Sequence, residues 1–174
     1  MKILAVQSRM GIGDTVIFLP FIKALSKKFN SPISILVKEN SKANQYLHQT
    51  KYIDKILTLE RDNKTNNRHG GFFGIFKLAN DLKKYKFDKI FIFNSSLRFN
   101  LVAKISGIPQ IYQYPLFAKN KQHIIEAPKK FLKENLDLDI NEDPEVQIDS
   151  DLISKAAQKF LIDKNTTNIL LGIG

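Results

Sequence analysis

The residues with the clearest chemical potential follow a short apolar run near the start of the chain. Ile3 to Val6 lead into QSRMGIGD, and an amphipathic stretch extends from Thr15 to Phe29. This order predicts a strand, a glycine-rich loop and a helix. Gly11 and Gly13 would let the backbone turn sharply and approach a ligand, and Asp14 would place a carboxylate where the helix begins. The loop therefore offers both a ligand cradle and a carboxylate.

Two familiar nucleotide-binding loops can be compared with this segment. A phosphate-binding P-loop needs Gly-Lys-Ser/Thr at the start of the helix, but Gly13 is followed by Asp14 and Thr15. A dinucleotide fingerprint needs a third glycine where this chain has Val16, although Glu39 would suit a ribose. The P-loop is excluded, and the dinucleotide loop is only a partial match.

Asp14 has two interpretations that the residues alone leave open. An aspartate at the start of a helix is commonly an N-cap, which stabilises the helix by about 1 kcal/mol. Alternatively, the Asp14 carboxylate is a general base that takes a proton from a sugar hydroxyl.

The elements that must position this loop alternate along the chain. Strands are predicted at 2–8, 32–38, 54–59, 88–94 and 110–113, and helices at 15–29, 40–48, 72–85, 97–106, 124–136 and 150–161. This alternation predicts an α/β fold with a Rossmann-like, doubly wound parallel sheet, in which ligands bind beyond the carboxyl ends of the strands. The loops after the first and fourth strands should meet at that edge.

Three segments, in this order, resemble the family 9 glycosyltransferases, the heptosyltransferases of lipopolysaccharide core synthesis. They are ILAVQSRMGIGDTVIFLPFIKALSKKF, FNSSLRFNLVAKISGIP and HIIEAPKKFL. The resemblance implies the N-terminal domain of a GT-B enzyme, which has two facing Rossmann-like domains. Because such enzymes are longer than this chain, we expect residues 1–148 to form an acceptor-side domain. Residues 149–174 would form a linker helix and the first strand of a truncated C-terminal nucleotide-sugar domain.

The resemblance also implies an activity. An inverting transferase would move a sugar from a nucleotide-sugar donor, ADP-heptose by family analogy, to a lipopolysaccharide core or related glycolipid acceptor. Asp14 would be the catalytic base, and the acceptor-binding residues would be Ser8, Arg9, Gly11, Gly13, Ser95, Ser96 and Arg98. No other cofactor and no metal are implied. The donor would be bound mainly by the missing domain, so we expect this chain alone to transfer nothing.

The sequence departs from the family at two places. Gly11 is absent from the commoner form of the family's loop, and YQYPLFAKN does not match the arginines expected after Gly-Ile-Pro. A second class of function therefore stays open, a standalone Rossmann-type module that binds a small anion or a nucleotide at a helix N-terminus.

The charge of the chain is unevenly distributed. Its net charge is +10, and residues 1–133 carry 24 Lys and Arg against 8 Asp and Glu, whereas 134–151 carry 8 acids and no base. A basic surface favours a phosphorylated glycolipid or an anionic membrane, although a Lys-rich composition can also reflect the genome. Arg-rich helices and zinc spacings are missing, which argues against nucleic acid. The acidic stretch is predicted to be a solvated connector.

Other features bear on the location of the protein and on further sites. The chain has no cysteine, and its first apolar run is too short for a signal peptide. We therefore expect a cytoplasmic protein with peripheral contact to the inner face of the membrane. His48, His69 and His123 are predicted to have surface or capping roles. The segment RDNKTNNRHGGFFG is either a flap over the acceptor or a flexible loop whose Phe72 and Phe73 anchor the next helix.

Overall fold

One parallel sheet organises the protein. The computed structural model describes residues 1–9, 11–61, 67–116, 123–163 and 165–167. Within these residues the strands are β1 (Ile3–Val6), β2 (Ile33–Lys38), β3 (Ile53–Leu59), β4 (Lys89–Ile92) and β5 (Gln110–Gln113). They form a sheet of order β3-β2-β1-β4-β5, and every neighbouring pair is parallel. The expected Rossmann-like α/β fold is confirmed.

The central strand shows why its sequence is continuously apolar. β1 pairs with β2 on one side and β4 on the other, and all four of its residues are buried. Ile3 and Ala5 belong to the core on one face of the sheet, whereas Leu4 and Val6 belong to the core on the other. A parallel strand covered on both faces has no water-facing position for a polar side chain.

Helices cover both faces. The helices are α1 (Ile12–Ile17), α2 (Leu19–Phe29), α3 (Ala43–Tyr46), α4 (Phe73–Lys83), α5 (Leu97–Ile105), α6 (Glu126–Leu136) and α7 (Ser150–Lys159). Buried residues of α2 and α6 pack into one core, and those of α4 and α5 pack into the other. No described helix is long and apolar enough to cross a bilayer.

The first predicted helix is in fact two helices. The helical stretch begins at Ile12 rather than at residue 15, and it is interrupted at Phe18. Pro20 is the second residue of α2, where its missing N–H breaks no helical hydrogen bond of that helix. Gly11 is the N-cap of α1, so Asp14 is its third residue and forms no cap hydrogen bond. The interpretation of Asp14 as an N-cap is therefore wrong.

The helix predicted at 40–48 is also shorter. Glu39–Ser41 form a 3-10 turn, Lys42 adopts a left-handed conformation with φ 50°, and only α3 follows. Because left-handed backbone cannot continue a right-handed helix, Lys42 separates the two pieces. The other predicted elements agree with the structure within two residues at each end.

Of the predicted acidic connector, residues 134–151, the first three belong to α6 and the last two to α7, whereas 137–149 contain no helix or strand. Ile140 packs into the same core as α2. Glu142 forms salt bridges with Lys23 at 2.8 Å and Lys27 at 2.5 Å. Farther along, Gln49 Nε2 donates to an Asp149 carboxylate oxygen at 3.2 Å. The connector is therefore attached at several points, although its acids are mostly exposed. Residues 168–174, where the first strand of a C-terminal domain is expected, lie outside the described residues.

Candidate functional site

The glycine loop is held by the residue that precedes it. Gln7 is 3% exposed and follows the buried strand β1 directly. Its Nε2 donates to the Asp14 carbonyl at 3.2 Å, and its Oε1 accepts from the Arg9 N–H at 2.7 Å. One side chain therefore connects both ends of the loop, which fixes where Asp14 stands relative to β1. The sequence signal for Gln7 is a polar residue at the end of an apolar strand.

Of the two glycines, only Gly11 needs to be glycine. Its φ of 107° is a conformation that other residues rarely adopt, and its carbonyl accepts from Thr15 Oγ1 at 3.1 Å. Gly13 lies inside α1 and has no positive φ. The expectation that Gly13 helps the loop to turn is wrong, although an added Cβ there would meet no atom within 4 Å. Both glycines leave the start of α1 open.

The loop after β4 is held by a similar set of polar side chains. Asn94 Oδ1 accepts from the Ser96 N–H at 2.6 Å, and Ser96 Oγ accepts from the Arg98 N–H at 3.3 Å, which caps α5. Gln113, the last residue of β5, donates its Nε2 to the carbonyls of Asn94 and Ser96, each at 2.9 Å. Ser95 lies half-buried between them.

The two loops meet through a side-chain hydrogen bond. Asn94 Nδ2 donates to Ser8 Oγ at 2.7 Å. This contact is a consequence of the parallel pairing of β1 and β4, in which Val6 is opposite Ile92. Ser8, Ser95 and Ser96 therefore lie together at the carboxyl edge of the sheet, and sequence reasoning did not single out Asn94, the residue that joins them.

A tyrosine not predicted from the sequence lies at the same edge. Tyr114 follows β5, and its ring packs against Phe93 and Phe131 with centroids 6.0 and 5.1 Å apart. Burial raises the pKa of Tyr114 above its ordinary value, and the nearby positive charge of Arg9 lowers it in part. Its hydroxyl is buried and has no hydrogen-bond partner in the described part of the chain.

The Asp14 carboxylate is half-buried. Across the described ranges it forms neither a side-chain hydrogen bond nor a salt bridge. Arg9 is exposed on the same loop, so the loop after β1 presents a carboxylate and a guanidinium group. Such a set can accept a proton from a hydroxyl while the guanidinium and phenol groups bind oxygen atoms.

His69 corrects the expectation for the histidines. It is 4% exposed, its Nδ1 accepts from the Glu60 N–H at 3.1 Å, and its Nε2 lies 3.0 Å from an Asp81 carboxylate oxygen. His69 is therefore a buried anchor rather than a surface residue. His48 and His123 are exposed, and His123 Nδ1 accepts from the Ile125 N–H at 3.4 Å just before α6 begins. Among the described residues no cluster of three His, Cys, Asp or Glu could bind a metal.

The Arg98 guanidinium donates hydrogen bonds to backbone carbonyls of the protein itself. Its Nη1 donates to the Gly71 carbonyl at 2.7 Å, and its Nη2 donates to the carbonyl of His69. Arg98 and His69 therefore anchor the segment before α4. Phe72 and Phe73 do not, because they are exposed. Residues 62–66 of the predicted flap lie outside the described residues.

Solved structures share this fold. A family 9 glycosyl transferase from Veillonella parvula DSM 2008 is 19% identical with a TM-score of 0.69, and the match covers 95% of this chain and 50% of that one. The E. coli ADP-heptose LPS heptosyltransferase II is 15% identical with a TM-score of 0.59, covering 94% and 52%. The E. coli heptosyltransferase WaaC with ADP-2-deoxy-2-fluoro heptose is 12% identical with a TM-score of 0.54, covering 82% and 50%.

This chain spans about half the length of these proteins. No protein-family model and no curated protein matches it. At such identities the comparison concerns the fold, and at that level it confirms the predicted resemblance: the chain folds like one half of a family 9 glycosyltransferase.

Proposed function

We propose that this chain is the acceptor half of an inverting, heptosyltransferase-like glycosyltransferase. The observation that carries the proposal is the hydrogen bond between Asn94 and Ser8. It brings the loops after β1 and β4 together at the edge where parallel α/β sheets bind their ligands. In this proposal residues 1–148 form the acceptor domain, and 149–174 lead into a nucleotide-sugar domain.

The proposed reaction is a single displacement. An acceptor hydroxyl oxygen attacks the anomeric carbon of the nucleotide sugar, the bond from that carbon to the diphosphate oxygen breaks, and the nucleoside diphosphate leaves with the bonding electrons. Asp14 takes the proton from the attacking hydroxyl, which raises its nucleophilicity as the new bond forms. Gln7 positions Asp14 through the backbone carbonyl of that residue.

Arg9 and Tyr114 are proposed to bind oxygen atoms of the acceptor. The guanidinium is a multiple donor that suits phosphate and carboxylate groups, and the buried phenol hydroxyl gains from a partner. An acceptor that carries an anionic group near its reacting hydroxyl fits this pair. We propose a lipopolysaccharide core or a related glycolipid.

The donor is proposed to be a nucleotide sugar bound by a second domain. ADP-heptose is the preferred candidate because two of the similar structures are named for that sugar nucleotide or an analogue of it. We propose that the protein works in the cytoplasm, in peripheral contact with the inner face of the membrane.

A standalone anion-binding module is the second candidate. It would use the partial positive charge at the start of a helix. However, the first turn of α1 carries the Asp14 carboxylate, and α1 has six residues. The carboxylate would repel an anion at that position, so the charge of the loop argues against this function.

The intact mass of the protein purified from its own cells separates the two candidates. A mass near twice 19.9 kDa is expected for a two-domain transferase. A mass of 19.9 kDa, with phosphate binding that tightens in Asp14→Asn, would instead support the anion-binding module.

The role of Asp14 is tested in the native chain by sugar transfer from ADP-heptose. Asp14→Asn should lower the turnover by roughly 10²–10⁴-fold, the usual contribution of a general base, with unchanged thermal unfolding. Glu39→Gln is the matched control, since Glu39 follows β2 at the same edge and is exposed. Full turnover in Asp14→Asn would exclude Asp14 as the base, and a loss confined to Glu39→Gln would favour dinucleotide binding.

A further inference from the structure

Three phenylalanines form an exposed cluster at the start of α4, which we term the aromatic patch. Phe72, Phe73 and Phe76 are 69%, 76% and 48% exposed. Their rings contact one another, with centroids 6.0 Å apart for Phe72 and Phe73 and 5.6 Å apart for Phe72 and Phe76. Contiguous apolar side chains on a protein surface usually mark a site of interaction.

The neighbouring helix extends this apolar surface. Leu97, Leu101 and Ile105 of α5 are all exposed, and their spacing of four residues places them along one side of the helix. α5 packs beside α4 in the same core. Arg98 joins the start of α5 to residues 69 and 71, immediately before the aromatic patch. Apolar side chains of both helices therefore reach the solvent on this side of the sheet.

The same two segments are strongly basic. Residues 67–84 and 94–107 contain six bases and one acid. The bases are Arg68, Lys77, Lys83, Lys84, Arg98 and Lys104. The acid, Asp81, lies 2.8 Å from Arg68 Nη2 and 3.0 Å from His69 Nε2. The two segments that carry the exposed apolar side chains are therefore net positive, and their single acid is paired.

We propose that the aromatic patch and its basic rim dock onto an anionic phospholipid surface. Phenylalanine gains free energy at the boundary between headgroups and acyl chains, and lysine keeps its ammonium group in the headgroup layer while its methylene stem lies along the apolar surface. Each Lys or Arg near an anionic leaflet adds to the attraction. Interfaces with protein partners are instead depleted in lysine, which makes a protein a poorer fit to this rim.

The position of the patch connects it with the proposed reaction. Arg98 holds the segment before Phe72 against the start of α5, and the Ser96 cap of α5 belongs to the loop that meets Ser8. A glycolipid acceptor would present its sugar at the membrane surface on which this patch rests. The biological purpose of the docking rests on the proposed function, but vesicle binding itself can be measured without any sugar.

The absence of tryptophan from the chain allows a direct test. Phe73→Trp places a single fluorophore in the patch, and Phe160→Trp places one at an exposed phenylalanine just after α7. Both variants are mixed with vesicles of phosphatidylglycerol and phosphatidylcholine that contain no glycolipid. We expect the Phe73→Trp emission to shift to the blue and to be quenched by brominated lipid, whereas Phe160→Trp should show neither change.

Co-sedimentation with the same vesicles measures the affinity. Changing Phe72, Phe73 and Phe76 together to serine should lower the partition constant by roughly tenfold or more, because each ring loses its transfer free energy. The control changes Phe160, Leu161 and Ile162 to serine, which removes an equal number of exposed apolar side chains. Both variants should unfold at the temperature of the unchanged chain, since none of these side chains is buried.

Three results would overturn the proposal: equal binding by the aromatic-patch variant, a larger loss in the control, or equal binding to vesicles of phosphatidylcholine alone. None of them depends on sugar transfer. Failure of the docking proposal is thereby distinguished from failure of the proposed enzyme activity, which the Asp14→Asn experiment reports.

Discussion

The side chain of Asn94 donates a 2.7 Å hydrogen bond to Ser8 Oγ, although 86 positions separate the two residues in the sequence. Ser8 follows β1 and Asn94 follows β4, and these strands are parallel neighbours at the centre of the sheet. Asn94 also accepts the Ser96 N–H, so one amide connects two strand ends and the start of α5.

A double-mutant cycle on this pair should reveal a coupling. Ser8→Ala removes one hydrogen bond and should cost about 1 kcal/mol of unfolding free energy, whereas Asn94→Ala removes two and should cost about 2 kcal/mol. Each single variant loses the bond between Ser8 and Asn94. The loss of unfolding free energy in the double variant should therefore be smaller than the sum of the two single losses, by about 0.5–1.5 kcal/mol. Urea denaturation measures all three values. Ser31→Ala with Asn94→Ala is the uncoupled control, since Ser31 Oγ donates to the Met1 carbonyl instead.

Replacing Gly11 and Gly13 by alanine should change the stability of the protein in opposite directions. Gly11 has a φ of 107°, so Gly11→Ala should destabilise the protein by about 1–3 kcal/mol. Gly13 is helical and has open space at its Cβ, so Gly13→Ala should stabilise by about 0.5–1 kcal/mol. Thermal unfolding of both variants checks the prediction. Equal losses at the two positions would contradict the assignment of Gly13 to α1.

Replacing His69 should be costly although it lies in a polar stretch of the sequence. His69→Ala leaves the Glu60 N–H without its acceptor and the Asp81 carboxylate with Arg68 as its remaining partner, and it removes a buried ring. We expect a loss of about 2–3 kcal/mol in chemical denaturation. His48→Ala is the matched control and should change stability by less than about 0.5 kcal/mol, because His48 is exposed. Similar losses of stability in His69→Ala and His48→Ala would show that His69 is a surface residue.

The raised pKa of Tyr52 predicts how the stability of the protein changes at alkaline pH. Burial, with a smaller effect of the negative charges of Glu145 and Glu142, raises the pKa of Tyr52 to about 12. In the unfolded chain a tyrosine ionises near pH 10, about two units earlier. The stabilisation is therefore complete below about pH 10 and is lost as the pH rises through about 12, because the unfolded state releases its proton first.

Ultraviolet absorbance of the phenolate and denaturation at several pH values measure this effect. Tyr52→Phe should reduce the fall in stability above pH 10, and Glu145→Gln should lower the pKa of Tyr52 in the folded protein. Burial also raises the pKa of Tyr46 and Tyr114, so part of the fall should persist in Tyr52→Phe. Phenolate absorbance that develops entirely near pH 10 would contradict the prediction.

Much of the fold follows from local patterns. The apolar runs of β1, β2 and β4 predict strands covered on both faces, and the alternation with helices predicts their parallel arrangement. The interruption at Phe18 was missed, because the amphipathic pattern continues through Pro20. Proline is tolerated in the first turn of a new helix, and apolar periodicity alone does not show that a new helix begins there.

The candidate site was predicted less completely. Ser8 and Ser96 follow the ends of β1 and β4, and Asp14 lies in the first turn of the helix after β1, so position alone suggests a ligand site. The roles of Gln7 and Gln113 were not predicted. The local sequence does not distinguish a glutamine that faces water from one that connects two loops. The role of such a glutamine depends on which backbone groups lie within about 3 Å of its amide.

The sequence by itself determined the order of strands and helices, the glycine turn before α1 and the excess of positive charge, because these depend on local periodicity, backbone freedom and composition. Only the tertiary structure decided that Asn94 meets Ser8, that His69 is buried, and that Phe72 and Phe73 face the solvent. Those outcomes depend on strand pairing between distant segments, which brings together groups that no local pattern relates.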